Sequence, residues 1–169
     1  MRKQELLRKI KRSRIVKKGQ FKLRSGAVSN LYLDVRKLFG NPSLLYAISD
    51  SIQRMLPNNT TCVVGSGYGG LPFATAVALT SKIKLVAVRN EIKDHGINKP
   101  IEGYIPTRKD RVVIIDDLFT TGSSMLETAK RLKKTNAKII GAIVVVKRAE
   151  TKNFSIPLQH LFMLDDILN

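Results

Sequence analysis

At 169 residues the chain has room for one substantial hydrophobic core but not for two ordinary domains of about 100 to 150 residues each, so one domain spanning 1–169 is expected. With 43% hydrophobic and 25% charged residues it is not a disordered composition. No run approaches the roughly 20 apolar residues of a membrane span and MRKQELLRKIKRSR lacks a signal-peptide core, so a cytoplasmic protein is expected. The formal charge of +17 favours anionic partners, whether phosphorylated small molecules, nucleic acid or acidic membranes.

Residues 2–13 can form a helix with Leu6, Leu7 and Ile10 on one side and basic residues elsewhere. Cations crowd the first 24 residues, opposed only by Glu5. Three apolar residues grip a membrane weakly and stacking aromatics are missing, so docking on the body of the protein is expected rather than a membrane helix or a nucleic-acid arm. Phe21 and Leu23, then Leu31 and Leu33, alternate with polar neighbours around Ser25-Gly26, predicting two short strands. Asn41-Pro42 is a helix start, since Asn caps free N–H groups and Pro fits the first helical position. Leu44, Leu45, Ile48, Ile52, Met55 and Leu56 keep helical spacing until Pro57.

The pattern then changes. Cys62–Val64, Leu85–Val88, Val112–Ile115 and Ile139–Val146 are β-branched apolar runs, as in strands buried on both faces. Helices near 71–81 and 122–135 separate them, which predicts an α/β fold: a mostly parallel twisted sheet flanked by helices. Cys62, the only cysteine, reads as core, and with His95 and His160 alone no zinc site can be assembled, so any metal binds through oxygen.

Ligands of such sheets gather at the carboxyl ends of the strands, which singles out the loops Ser66–Gly70, Arg89–Gly103, Asp116–Ser124 and Lys147-Arg148. In VVIIDDLFTTGSS, Val112 to Ser124, a buried strand ends in two acids and a hydroxyl-rich turn opens a helix. Thr120, Thr121, Gly122, Ser123 and Ser124 can aim N–H groups and hydroxyls at a phosphate, with the positive helix end behind them. Asp116 and Asp117 can accept from vicinal ribose hydroxyls and steady a cationic sugar as its leaving group departs. GSGYGGLP, Gly65 to Pro72, puts four glycines in six residues of a second strand-to-helix turn. No Gly-Lys-Ser/Thr follows four spacers from a glycine, so a Walker-type nucleotide loop is disfavoured.

The ordered string VVIIDDLFTTGSS resembles the phosphoribosyl diphosphate signature of type I phosphoribosyltransferases. Within that family Arg89, Glu91, Lys93, Asp94, His95 and Gly96 match the mobile catalytic loop of the orotate phosphoribosyltransferases. FKLRSGAVSNLYLD resembles their N-terminal hood, and Arg148 aligns with the arginine used on orotate.

The resemblance implies the type I phosphoribosyltransferase fold, with a helix and hood over 1–40 and a core over 41–169. It further implies magnesium held mainly by substrate, and a homodimer whose loop reaches the neighbouring site. It assigns phosphoribosyl diphosphate (PRPP) to Ser66, Gly67, Tyr68, Gly69, Gly70, Arg89, Lys93, His95, Asp116, Asp117 and Thr120 through Ser124. Orotate falls to Arg24, Ser25, Gly26, Tyr32, Thr120 and Arg148, and catalysis to Lys93, His95, Asp116 and Asp117. Asn90, Gly69, Arg24 and Lys147 depart from common family residues. Two rivals remain: transfer to another base, and a basic RNA-binding regulator on the same fold.

Overall fold

The computed structural model describes residues 1–22, 26, 28–89, 100–150 and 154–169. Helix α1 (Lys3–Arg12) turns Leu6 and Ile10 inward, where both are buried, and Leu7 packs beside them. Burying a side chain of that size contributes about 1.5–3 kcal/mol, so the basic helix is fastened by its apolar side while the cations stay in water. Strands β1 (Val16–Lys22) and β2 (Val28–Leu33) form a separate antiparallel ribbon. A 3-10 turn (Val35–Gly40) leads to α2 (Pro42–Met55), whose N-cap is Asn41: the Leu44 N–H donates to Asn41 Oδ1 at 3.2 Å.

The remaining elements are β3 (Cys62–Ser66), α3 (Gly67–Ser81), β4 (Lys84–Val88), β5 (Ile101–Gly103), β6 (Arg111–Phe119), α4 (Ser123–Leu132), β7 (Lys138–Lys147), β8 (Leu158–Met163) and α5 (Leu164–Leu168). The second sheet has six strands in the order β5-β4-β3-β6-β7-β8, and every pairing is parallel except β4 with β5. Successive residues of β6 point to opposite faces. Val113 and Ile115 join the cluster that holds α1, α2 and α3, whereas Val112 and Ile114 join the cluster that holds Met125, Ala129 and Leu132 of α4. The sheet is therefore flanked by helices on both sides, as the apolar runs predict.

Chain order explains where a ligand can sit. From β3 the chain crosses through α3 to β4 on one side, and from β6 it crosses through α4 to β7 on the other. Neighbouring β3 and β6 thus diverge in their onward connections, and a crevice opens between their carboxyl ends.

Several expected boundaries move. The helix expected at 71 begins at Gly67, drawing the glycines into its first turn, because close packing against β6 outweighs glycine's poor helix propensity. The loop expected from Asp116 starts later, since β6 carries both acids within its ladder through Phe119. The loop expected over Arg89–Gly103 contains β5, which pairs with β4 at its far end. Residues 133–135 continue α4 only as a 3-10 turn. No helix among the described residues is long and apolar enough to cross a membrane.

Candidate functional site

The acid pair lies at the crevice and is divided by the pleat of its strand. Asp116 faces α4: Ser124 Oγ donates to its Oδ2 at 2.9 Å, and the Asp117 N–H donates to its Oδ1 at 2.9 Å. Only 4% of Asp116 is exposed, and this burial, reinforced by the charge of Asp117, pushes its carboxyl well above the usual carboxylate range. Asp117 faces the other helix, where a Cβ on Gly69 would run into its carboxylate. One carboxylate thus attends each of the two helix N-termini that open onto the crevice.

Those N-termini supply the positive side of the site. Neither α3 nor α4 has an acid of its own in its first turn, so apart from the facing Asp116 and Asp117 the N–H groups and positive dipole ends are open to an anion. Gly122 precedes α4 at φ 77°, a left-handed conformation that disfavours a side chain, and Phe119 and Phe154 close over it. Thr120, Thr121 and Ser123 are exposed around this turn, with Thr121 Oγ1 donating to Ser123 Oγ at 3.2 Å. At the other helix, Gly70 presses on the Ile115 carbonyl and Gly65 on Leu71, so the α3 backbone lies directly over the ends of β3 and β6. Gly67 has φ 59°, and Tyr68 stands 85% exposed at the mouth.

Ser66 is placed differently from its neighbours. It is buried, and its hydroxyl shares a 3.1 Å hydrogen bond with Thr128 of α4, so the side chain ties the two turns together instead of pointing into the crevice. Arg89, at the end of β4, pairs with Glu102 of β5 at 2.5 Å. The fork of Arg148 reaches the ribbon: Nη2 donates to Ser29 Oγ at 2.8 Å, and Nη1 approaches the Leu31 carbonyl at 3.5 Å. Its own N–H donates to the Phe119 carbonyl at 2.9 Å, which fixes it beside the turn after β6. Tyr32 packs on Phe21 with ring centroids 5.4 Å apart, and Gly26 sits at the ribbon's tip with φ 86°. Arg24, Ser25, Lys93 and His95, with Asn90, lie outside the described residues.

Sequence reasoning missed Ser29, Arg36, Thr128 and Phe154. Arg36 donates to Tyr32 Oη at 3.2 Å, and that bond, then the charges of Asp117 and Asp34, raise its pKa against partial burial. No local pattern marks these four, because each gains its role from a partner distant in the chain or from the fold of the ribbon. Cys62 is buried core as expected, its thiol pushed up to about 11 by burial.

Two carboxylates and two helix N-termini meet at the switch point of a parallel sheet, an arrangement suited to a phosphorylated sugar or nucleotide, and the chain belongs to the phosphoribosyl transferase domain family, whose model matches residues 38–157. Within it, the chain is 40% identical over 151 residues to the orotate phosphoribosyltransferase of Pyrococcus furiosus, covering 88% of this chain and 82% of that one. The orotate phosphoribosyltransferase structure from Aeropyrum pernix superposes with a TM-score of 0.81 at 31% identity, over 96% of both chains. Leishmania donovani UMP synthase gives a TM-score of 0.81 at 27% identity over 97% of this chain, which spans 37% of that longer protein.

Proposed function

We propose that this protein transfers the phosphoribosyl group of PRPP to orotate, releasing diphosphate and forming orotidine 5'-monophosphate in UMP biosynthesis. The observation that carries the reading is the divided acid pair: Asp116 toward α4 and Asp117 toward α3, at the point where two anion-binding helix ends converge. The sugar 5'-phosphate is assigned to the turn Thr120–Ser124 and the N-terminus of α4. The diphosphate is assigned to the backbone of Ser66 through Gly70 and the N-terminus of α3, together with Arg89, Lys93 and His95. As the bond from C1 of the ribose to diphosphate breaks, positive charge grows on the sugar, and the two carboxylates stabilise it where the ground state has no such charge. The orotate nitrogen then bonds to C1 and loses its proton, for which Lys93 and His95 are the assigned groups. Arg24, Ser25, Gly26, Tyr32, Thr120 and Arg148 hold the base, a guanidinium fork being suited to a carboxylate and a neighbouring carbonyl.

The residues fit magnesium as a partial cage. Asp116 and Asp117 offer two carboxylates, and no cluster of three His, Cys, Asp or Glu occurs among the described residues. Two carboxylates alone would suit an ion that keeps its waters and takes most of its oxygens from phosphate. Bound with the donor, magnesium would draw negative charge from the departing diphosphate.

A homodimer is part of the same reading. Helix α3 carries no charged residue over its fifteen positions, yet Leu79 on it is 78% exposed, the surface expected to be covered by a second copy. Residues 1–40 form the hood and 41–169 the core of one catalytic domain, working in the cytoplasm on soluble substrates. The test is incubation with PRPP, magnesium and a panel of bases while diphosphate release is followed. Release with orotate and not with uracil, adenine or hypoxanthine supports the assignment; release with another base alone replaces the acceptor.

A further inference from the structure

We propose that Ser29 is a positioning residue that aims Arg148 at the acceptor base and so sets the preference for an acidic one. The inference rests on the assignment of Arg148 to orotate and adds the device that holds it. Arg148 directly follows β7, a core strand, whereas Ser29 lies on β2 of the separate ribbon, and the 2.8 Å bond from Nη2 to Ser29 Oγ joins the two beside the turn after β6.

The orientation of that serine is fixed by its own strand. Its hydroxyl donates to the Leu31 carbonyl at 2.8 Å and accepts from the Leu31 N–H at 3.2 Å. With the proton committed to Leu31, an oxygen lone pair remains to face the guanidinium, and the full capacity of the hydroxyl is used. The backbone of β2 thereby dictates where the Arg148 fork points. A guanidinium has five N–H donors, of which this contact and the longer approach to Leu31 occupy two, leaving donors for a carboxylate. An arginine otherwise spends side-chain entropy on being ordered by its ligand; prior fixation by the ribbon removes part of that cost. An anionic base gains most, since its charge-assisted bonds depend on the fork's direction.

The experiment measures steady-state kinetics for Ser29→Ala, Ser29→Thr and Arg148→Ala with orotate and PRPP varied separately, alongside thermal melting. Loss of one charge-assisted hydrogen bond corresponds to about a tenfold rise in KM for orotate in Ser29→Ala, with KM for PRPP unchanged. Ser29→Thr, which keeps the hydroxyl, restores the orotate KM. An orotate KM unchanged in Ser29→Ala while Arg148→Ala loses orotate use overturns the role of Ser29 and leaves the orotate assignment standing. Unchanged kinetics in Arg148→Ala overturn both. Equal rises in both KM values with a lowered melting temperature show a merely structural serine and also overturn the proposal.

Discussion

Gly69 lies so close to Asp117 that a Cβ there would meet the carboxylate itself. The first turn of α3 is therefore glycine at this point because the acid occupies the space a side chain would need. Gly69→Ala displaces Asp117 from the crevice, and kcat/KM for the donor falls about tenfold or more, since small misplacements of reacting groups are costly. Gly70 meets a backbone oxygen, that of Ile115, which cannot swing aside. Gly70→Ala should lower stability by about 1–3 kcal/mol, read from urea unfolding.

Asp116 carries a stability cost that its function requires. Its folded-state pKa is raised, by burial first and by Asp117 second. The protonated form is thus the one the fold favours: that contribution is complete below the unfolded value of about 4 and is withdrawn as pH rises through the folded value. Asp116→Asn keeps partners for Ser124 and the Asp117 N–H without the charge. Its melting temperature should exceed that of the parent at neutral pH, by about 2–4 °C for each kcal/mol relieved, and converge with it near pH 4. Turnover falls by about 10²-fold or more in the same variant, as a preorganised charge is lost from the transition state.

Asp110 behaves in the opposite sense at the other end of β6. It is 3% exposed and accepts from Thr61 Oγ1, Lys84 Nζ, Tyr104 Oη and both the N–H and hydroxyl of Thr107, all within 2.8–3.1 Å. Burial alone would raise its carboxyl, but the Thr107 N–H, Tyr104, Lys84 and Thr61 together hold it well below the usual range. A depressed folded value gives stability that is present above the unfolded value of about 4 and lost as pH falls toward the folded one. Asp110→Ala should cost about 1–3 kcal/mol at pH 7 by leaving the Thr107 N–H and three hydroxyls without their shared acceptor, and should flatten the acid limb of the stability profile.

The basic N-terminus is a docked helix, which yields a contrast in mutational cost. Leu6→Ala and Ile10→Ala each remove a buried side chain and should cost about 2–5 kcal/mol. Replacing exposed Arg8 and Arg12 by Gln should change stability by less than about 0.5 kcal/mol. The same charge variant tests the RNA-binding rival without unfolding the protein: a flattened salt dependence of RNA affinity would favour a phosphate-contacting surface, and no change would remove it.

Much of this architecture can be read from local patterns. The four apolar runs, the Asn41-Pro42 start and the Asp116-Asp117 string each report on structure made by neighbours in sequence, and β3, β4, β6, β7 and α2 stand where they predict. What escaped depends on contacts across the chain. The helical start at Gly67 is set by packing on Ile115 and Asp117, β5 forms because β4 offers an edge, and the parallel pairing of β8 with β7 has no signal in LQHLFM itself. In the site, Asp116, Asp117, Gly69 and Gly122 could be singled out from the residues themselves, and Arg148 only through the family resemblance. Their orientation was not: the pleat sends the two acids to opposite helices, Ser66 turns inward to Thr128, and Ser29 and Arg36 enter only through the fold of the ribbon.

Isothermal titration of the protein with PRPP in the presence of magnesium is the most direct test, since it asks whether the crevice between β3 and β6 binds an activated sugar phosphate before any base is offered. Saturable heat with the native chain, lost on Asp117→Ala, is the result expected. Absence of heat with the native chain, or undiminished heat in that variant, contradicts it.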